Sequence, residues 1–304
     1  MLRLIGFVSF VFLPFGLFGQ TDLARRLSSM DHFSMIRKSD VPFKTVGICH
    51  LGDSIVLDTT RVTVRYEVTA VPDSAKDYRM YDCALLQIGS RYSKFYGLTT
   101  WRYDMNLTRR DMGKEQVAYD DIRDHVVDYE VMIDIPSRAM IVSHHVMFTQ
   151  DVLFAYEEPV PDLNWQITGE DRMIHGYRCF RACVRYNGRD WTVWFTPDIP
   201  VGCGPWKLGG LPGLIMEAQD AKGHYGFSVS AVENRRVPIV NYNIRTKWMT
   251  RRSWLDFERQ AHMHPVETFG NGGQVGFLSV DTETDQTILL DDTWTIPYNP
   301  LELE

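Results

Sequence analysis

The amino-acid sequence predicts a mainly β protein, a single domain with a curved, barrel-like antiparallel sheet and one or two short helices. Three observations support this fold class. Apolar and polar side chains alternate over many short segments, which is the period of half-buried strands. Turn residues separate these segments at short intervals. Apolar residues at helical spacing are few. About eight or more successive strands favour a barrel-like or strongly twisted sheet over a flat one.

The first twenty residues are predicted to be a secretory signal peptide outside the fold. Arg3 supplies a positive start, and Leu4 to Phe18 form an apolar run of fifteen residues. This length fits a signal peptide, whereas a membrane span needs about 20 residues; a retained anchor is the alternative. No cysteine lies near the end of the run, which argues against a lipid anchor on a new N-terminal Cys. We expect an exported protein, periplasmic or extracellular, with no transmembrane segment in the mature chain.

The predicted strands follow one another with a turn signal in most of the intervals. The clearest signal is Asn187-Gly188, the preferred hairpin dipeptide, which separates two alternating runs. A bend is predicted at Gly89-Ser90 and a short turn at Pro136-Ser137. The alternating segments are Arg61–Val71, Arg79–Gly97, Val127–Ile135, Arg138–Phe148, Tyr177–Thr196 and Leu214–Glu233.

Two segments have helical character. Thr21–Met30 is predicted to open the mature chain with a helix, and Arg252–His264 places Trp254, Phe257 and Ala261 at helical spacing before Pro265. No linker rich in Pro, Gly or Ser divides the remainder. The sequence therefore predicts one domain over residues 21–304.

The composition is that of an ordinary globular protein, with 44% hydrophobic and 23% charged residues. The formal net charge is −7, and an acidic chain repels the phosphates of nucleic acids. The arginine pairs at 235–236 and 251–252 are expected to solvate the ends of hairpins. Nucleic acid is therefore excluded as a partner.

The chain has five cysteines, Cys49, Cys83, Cys179, Cys183 and Cys203. An exported protein can form disulfides, and an odd number leaves at least one thiol without a partner inside the chain. Cys179 and Cys183 are four residues apart in a predicted strand and so about 13 Å apart, too far to bridge each other. A bridge from Cys203 to either one would tie the following glycine-rich segment to this hairpin. The connectivity stays open.

The segment GPWKLGGLPGLIMEA, Gly204 to Ala218, is rich in glycine and proline. Pro212-Gly213 matches a type II turn, with a positive φ at the glycine. A phosphate-binding loop would have to lead into a helix, but the residues after Gly213 have the pattern of a strand. We interpret this segment as a structural corner with Trp194 and Trp206 holding the loop to the sheet. Its predicted residues are Gly204, Pro205, Gly209, Gly210, Leu211, Pro212 and Gly213.

These residues resemble the GLPGLI family of exported proteins from Bacteroidota. The similar elements are Gly176-Tyr177-x-Cys179, Gly188-Arg189-x-Trp191, an aromatic-Thr-Pro run to Pro200, Gly204-Pro205, and Gly210 to Ile215. Ile88–Gly97 and Pro297–Glu304 also look like the family. The resemblance implies export and one β-rich domain of the GLPGLI type. It transfers no catalytic residues, because no biochemical activity is established for the family.

Candidate binding residues come from aromatic side chains. Tyr92, Lys94 and Tyr96 alternate in one strand and so share a face. Together with Trp194 and Trp206 they are candidates for ligand binding; the alternative is a lysine that snorkels over an apolar face. The sequence contains no GxSxG, HExxH or CxxC pattern. Catalytic residues are therefore unknown.

Metal binding is only a weak alternative. His224, His262 and His264 could supply ligands, although a zinc site needs three or four that converge. His144 and His145 are adjacent in a predicted strand, so they face opposite sides and form a poor joint site. Adjacent carboxylates such as Glu157-Glu158 are interpreted as solvated. No cofactor is predicted.

The leading functional hypothesis is non-catalytic binding of a hydrophobic or peptide-like ligand, or of an outer-membrane partner. The alternative is a hydrolase or metal-dependent enzyme whose site is built from dispersed residues. A purely structural role at the cell surface is the third hypothesis.

Overall fold

The computed structural model describes residues 32–38, 47–76, 78–114, 124–270, 275–281 and 287–304. The chain divides into two compact units, a large unit of residues 44–254 and 299–304 and a small unit of residues 1–43 and 255–298. The sequence predicts a single domain over residues 21–304. These units are groups of residues in close contact, so the single domain stays a prediction. The predicted signal peptide and the predicted helix Thr21–Met30 lie outside the described residues.

The large unit is built on a twelve-stranded sheet, which confirms the mainly β fold class. One edge strand runs parallel to its neighbour, and the other neighbouring strands are antiparallel. The two edge strands do not pair with each other, so the described sheet is open rather than closed. Because one edge strand is parallel to its neighbour, the sheet is mixed rather than purely antiparallel. In spatial order the strands are β15 (Thr246–Trp248), β8 (Leu153–Pro159), β7 (Ala139–His145), β6 (Tyr129–Asp134), β5 (Tyr92–Gly97), β4 (Met80–Ile88), β3 (Val62–Ala70), β13 (Tyr225–Glu233), β12 (Leu214–Asp220), β11 (Arg189–Thr196), β10 (Tyr177–Tyr186) and β9 (Gln166–Ile174).

Local sequence accounts for most of these strands. Val64, Tyr66 and Val68 are buried in β3 while the residues between them are not, as the alternating pattern predicts. Asn187 and Gly188 both have positive φ, 47° and 75°, which is the type I′ geometry that joins β10 to β11. The other predicted strand segments also form strands of this sheet.

Strands β8, β9 and β15 of the large sheet were not predicted, nor were three further elements of the large unit. Strands β2 (Ser54–Thr59) and β14 (Pro238–Tyr242) pair as a separate antiparallel two-stranded sheet. Helix α1 (Leu98–Asp111) begins after Gly97 with no side-chain cap and no acidic residue in its first turn, so the usual start signals are absent. A Cβ at Gly97 would lie 2.0 Å from the Val127 carbonyl oxygen, which explains the glycine at the end of β5.

The small unit contains a three-stranded sheet. β1 (His32–Lys38) pairs parallel to β16 (Val275–Asp281), which pairs antiparallel to β17 (Thr287–Leu289). Helix α2 (Arg251–Met263) begins in the large unit, and the short helix α3 (Pro265–Phe269) follows it. The helix predicted at Arg252–His264 is confirmed as α2. The described residues contain three helices instead of one or two.

A chain of aromatic rings runs through the core of the large unit. Phe95 lies between Tyr66 and Phe227, with ring centroids 6.2 Å from each. Trp191 continues the chain, 6.2 Å from Phe227 and 5.7 Å from Trp206. Trp206 comes from the loop between β11 and β12 and is buried. The ring therefore holds that loop to the sheet, as the sequence predicts for Trp206.

The glycine-rich corner depends on close packing more than on turn geometry. β12 follows Gly213 directly, so the predicted strand after the corner is confirmed. The predicted positive φ at Gly213 is wrong, and the positive φ angles of the corner occur at Trp206, 54°, and Gly210, 84°. A Cβ at Gly213 would lie 2.0 Å from the Thr196 carbonyl oxygen. Glycine is required there because two backbone segments touch.

The C-terminal segment of the chain is bound to the β10–β11 hairpin by Arg189. The guanidinium is buried, and its Nη1 donates to Asp220 Oδ2 at 2.8 Å. Its Nε donates to the Leu301 carbonyl at 3.0 Å, and Nη2 donates to Asn299 Oδ1 at 3.0 Å and to the Pro300 carbonyl. One side chain thus satisfies several acceptors of residues 299–301.

Lys207, within the glycine-rich corner, binds the same C-terminal segment. Its ammonium is fully buried and lies 2.5 Å from Glu302 Oε1 and 2.5 Å from Glu158 Oε1. It also donates to the Tyr156 hydroxyl at 2.9 Å, and Arg251 Nη2 lies 2.5 Å from Glu302 Oε2. Glu158 is therefore part of an ion cluster, and its interpretation as a solvated carboxylate is wrong.

Replacing Gly213 by alanine is expected to lower the free energy of unfolding by about 3 kcal/mol or more. The new methyl group meets backbone atoms, which cannot rotate away as a flexible side chain can. Gly52→Ala is the matched control, because its Cβ would meet nothing within 4 Å, and we expect a change below about 0.5 kcal/mol. Urea unfolding of both variants measures the difference, and equal stability would contradict the packing argument.

Arg189→Met is expected to cost about 3–5 kcal/mol, because it leaves Asp220 buried without its cation. The control is Arg138→Met, since the Arg138–Asp162 pair is exposed, with side-chain accessibilities of 54% and 94%. Loss of an exposed pair costs about 1 kcal/mol or less. Thermal and urea unfolding compare the two variants, and a cost for Arg189→Met no larger than the control would refute the role of the buried pair.

Candidate functional site

A cavity of about 430 Å³ lies on one face of the large sheet. Its volume is in the range of small-molecule sites. The floor consists of two rows of cross-strand neighbours on four adjacent strands, β13, β3, β4 and β5. One row is Glu233, Thr63, Gln87 and Lys94, and the other is Ala231, Arg65, Leu85 and Tyr96. Because side chains two residues apart share a face, alternation in all four strands creates this surface.

The walls of the cavity come from α1 and β14. Leu98 and Trp101 belong to α1, and Val240 and Tyr242 belong to β14. Trp101 Nε1 donates to the Tyr242 hydroxyl at 3.2 Å, which joins the two walls. The lining therefore combines apolar and aromatic side chains with a few polar groups.

Lys94 is a buried cation in the floor of the cavity. Its ammonium pairs with Glu130, donates to the Val240 carbonyl at 3.1 Å, and lies 5.2 Å and 5.7 Å from the ring centroids of Tyr96 and Tyr242. Burial raises the pKa of Tyr96 well above its usual value, with the Glu130 charge acting in the same direction. The phenol is thus a hydrogen-bonding group that stays neutral.

Two arginines give the cavity an excess of positive charge. Arg65 and Arg235 are exposed lining residues, and neither forms an ion pair with a carboxylate of the described residues. Among the described residues that line the cavity, Glu233 is the one carboxylate. Since Glu130 already neutralises Lys94, the two guanidinium groups remain available to an anionic group of a ligand.

A second cluster, of Cys49, Asp104 and His145, is fully buried in the large unit. His145 Nε2 lies 2.9 Å from Asp104 Oδ2, and the backbone N–H of Cys49 donates to Asp104 Oδ1 at 3.0 Å. Candidate ligand atoms of the three side chains, one from each, lie within 4.8 Å of one another. We call these residues the thiol–imidazole–carboxylate cluster.

Electrostatic interactions in this cluster favour a protonated imidazole. Burial opposes the charge on His145 and is the largest single effect, but the Asp104 carboxylate and the Cys49 thiol outweigh it. The pKa of His145 is therefore raised well above its usual value. Its Nδ1 is buried and makes no hydrogen bond to a described residue.

A narrow void of about 20 Å³ lies between the cavity and the cluster. Its lining shares Tyr96, Trp101 and Tyr242 with the cavity, and Asp104 and His145 with the cluster. Trp101 and Asp104 are three residues apart in α1 and so lie on the same side of the helix. Helix α1 therefore contributes side chains to both the cavity and the thiol–imidazole–carboxylate cluster.

The structure brings together only part of the predicted binding set. Lys94 and Tyr96 line the cavity, whereas Tyr92 is outside its lining and packs under the Arg91 guanidinium at 5.1 Å. Trp194 lines a separate groove of about 610 Å³ with Arg172, whose guanidinium lies 4.2 Å from the indole ring. Trp206 is buried beside Trp191.

The histidines predicted as weak metal ligands are divided between the two units. His262 and His264 belong to the small unit and His224 to the large unit. The Nδ1 of His262 lies 2.8 Å from the Glu258 carbonyl, and its ring packs on Tyr298 with centroids 4.8 Å apart. Within the described ranges, the three-residue group with metal-ligand spacing is the thiol–imidazole–carboxylate cluster.

All five cysteines are free thiols. Burial raises the pKa of Cys203 to about 11, although Ser93 acts in the opposite direction. Burial also raises the pKa of Cys179 to about 11, with the Glu217 charge as the next cause. Neither is a ready thiolate. The possible bridge from Cys203 to the hairpin is not formed.

The sequence gives a partial signal for the buried cluster. His144 and His145 do face opposite sides, as predicted: His144 stacks on Trp254 with ring centroids 3.9 Å apart, while His145 binds Asp104. Of the two histidines, only His145 belongs to the buried cluster. Cys49 and Asp104 are 55 residues apart, and no spacing rule joins them.

One family model matches a short central segment of the chain. Residues 186–217 match the model of a family described as a protein of unknown function (Porph_ging). This segment includes Arg189, Lys207 and the glycine-rich corner. No curated protein matches the sequence.

Two solved structures of PNGF-II, in the P21 and C2 space groups, are similar to this chain at 13% sequence identity and a TM-score of 0.42. Each match covers 66% of this chain, which spans about a third (32%) of the length of PNGF-II. A likeness at this level indicates nothing about the function of the chain. Within the described ranges, every helix is too short or too polar to span a bilayer.

Proposed function

We propose that the chain is an exported binding protein whose cavity holds a small hydrophobic or peptide-like ligand with a carboxylate group. The observation that carries this proposal is the cavity of about 430 Å³, with aromatic and aliphatic walls and two arginines without carboxylate partners among the described residues. The proposal includes membership of the GLPGLI family and export, supported by the central segment and by the apolar run Leu4–Phe18. An outer-membrane partner stays a prediction.

The apolar part of the ligand is inferred from the apolar side chains that line the cavity. Leu85, Leu98, Val237 and Val240 line the cavity beside Trp101. Burying apolar ligand surface against such side chains contributes about 25 cal/mol per Å² before the costs of association. A ligand that fills the cavity would gain most of its affinity from these contacts.

The carboxylate is inferred from charge. A guanidinium forms bidentate hydrogen bonds with a carboxylate, and such charge-assisted bonds contribute about 1.5–3 kcal/mol. Arg65 and Arg235 supply two such groups on the lining of one cavity. A hydrophobic peptide with a free C-terminus, or a short fatty acid, has the matching combination of groups.

Binding can be measured by fluorescence, because Trp101 lines the cavity. Hydrophobic tripeptides with a free carboxylate and short fatty acids are expected to change the tryptophan emission. Peptides capped by a C-terminal amide should bind about 10-fold more weakly or worse, since they lack the anionic group. The double variant Arg65→Met/Arg235→Met should lose this discrimination.

The matched control is the double variant Arg61→Met/Arg236→Met, which removes the same charge from exposed positions that do not line the cavity. It should retain wild-type affinity and discrimination. Equal binding of free and amidated peptides by the wild-type protein, or no binding by any of these compounds, would refute the proposed ligand class.

A further inference from the structure

The strongest group of side chains that the cavity does not use is the thiol–imidazole–carboxylate cluster. Its members come from three separate parts of the large unit: Cys49 precedes β2, Asp104 is in α1, and His145 ends β7. All three are buried. A thiol, an imidazole and a carboxylate are the three side-chain types that bind Zn²⁺.

We propose that Cys49, Asp104 and His145 bind one divalent metal ion of the zinc class. The inference does not depend on the ligand proposed for the cavity. Candidate ligand atoms of the three residues lie within 4.8 Å of one another. Three protein ligands with a fourth position left open is the usual arrangement of a catalytic zinc site, whereas structural sites use four.

The distances require only a small adjustment. At zinc–nitrogen and zinc–oxygen bonds of about 2.0–2.1 Å, tetrahedral geometry places the two ligand atoms about 3.3 Å apart. His145 Nε2 and Asp104 Oδ2 are 2.9 Å apart. Asp104 Oδ1 is held by the Cys49 backbone N–H at 3.0 Å, so the carboxylate is oriented by a second hydrogen bond, as is common around metal ligands.

Charge balance also favours a divalent ion. Binding releases two protons to solvent, one from the Cys49 thiol and one from the His145 imidazolium, so that His145 binds as a neutral ring. One thiolate and one carboxylate then cancel the two positive charges of the ion. A buried site with no net charge avoids the large cost of an uncompensated charge in the interior.

The void of about 20 Å³ supplies room for the fourth ligand. Asp104 and His145 are among its lining residues, and a space of roughly 10–15 Å³ is enough for one water molecule. The same void borders Tyr96, Trp101 and Tyr242 of the cavity. A metal-bound water would therefore lie between the metal and the larger cavity.

Hydrogen bonds to helix α1 position the segment that carries Cys49. Thr108, one turn after Asp104, accepts a hydrogen bond from the Leu51 backbone N–H at 2.7 Å and donates to the Asp104 carbonyl at 2.7 Å. Cys49 and Leu51 are thus both bound to α1. This arrangement holds the thiol beside the imidazole before any ion is present.

The competing explanation is a buried His145–Asp104 ion pair that binds no metal. Cobalt separates the two, because a thiolate bound to Co²⁺ gives a charge-transfer band in the near ultraviolet. The full chain, reduced and freed of metal by a chelator, should bind one Co²⁺ per chain with this band, and Zn²⁺ should abolish it. Zn²⁺ should also raise the melting temperature of the wild-type protein, by roughly 5 °C at saturation.

Cys49→Ser should remove the band, and Asp104→Asn and His145→Gln should weaken Co²⁺ binding by about 10-fold or more. The matched controls are Cys203→Ser, a thiol outside the cluster, and His50→Gln, a histidine that contacts two carboxylates near the surface. Both controls should bind Co²⁺ as the wild type does.

A wild-type protein with no thiolate band and no melting shift would overturn the proposal, and this measurement needs no variant. A band that survives Cys49→Ser would also overturn it. If Cys49→Ser fails to fold, loss of the band on Cys203→Ser would assign the thiolate elsewhere and refute the site.

Discussion

Two buried cations hold the C-terminal residues of the chain against the large sheet. Arg189 at the start of β11 binds residues 299–301, and Lys207 in the loop after β11 binds Glu302. Each cation is enclosed by acceptors, since Arg189 also pairs with Asp220 and Lys207 with Glu158. Because an unpaired charge in the interior is costly, the C-terminal segment, the corner and strands β8, β11 and β12 must be placed together.

This constraint explains the composition of the central segment. The Asn187-Gly188 turn lets the C-terminal segment pass close by: the Leu303 N–H donates to the Asn187 carbonyl at 3.0 Å, and a Cβ at Gly188 would lie 2.6 Å from Leu303 Cβ. The corner brings Lys207 to Glu302 while Gly213 touches Thr196. The segment that matches a family of unknown function thus has a structural explanation, and it lies apart from the cavity lining.

The two proposed sites lie on another part of the same sheet and share α1. Trp101 faces the cavity and Asp104 the cluster, one turn apart. Gly97 ends β5 and leads directly into this helix, and Lys94 and Tyr96 of β5 form part of the cavity floor. A short connection therefore fixes the floor, one wall and one metal ligand relative to one another, which is the rigidity that a preorganised site requires.

The sequence by itself determined the features that depend on neighbouring residues. Alternating side chains placed β3 and the hairpins, Asn187-Gly188 specified its turn, and the strand pattern after Gly213 excluded a phosphate loop. It also indicated Lys94 and Tyr96 as candidate binding residues, because alternation places them on one face of the strand. Only the tertiary structure decided that the sheet is open, that Gly213 is needed for contact with Thr196, and that Cys49, Asp104 and His145 meet. These features join residues far apart in the chain, and their geometry is set by packing, which no local periodicity encodes.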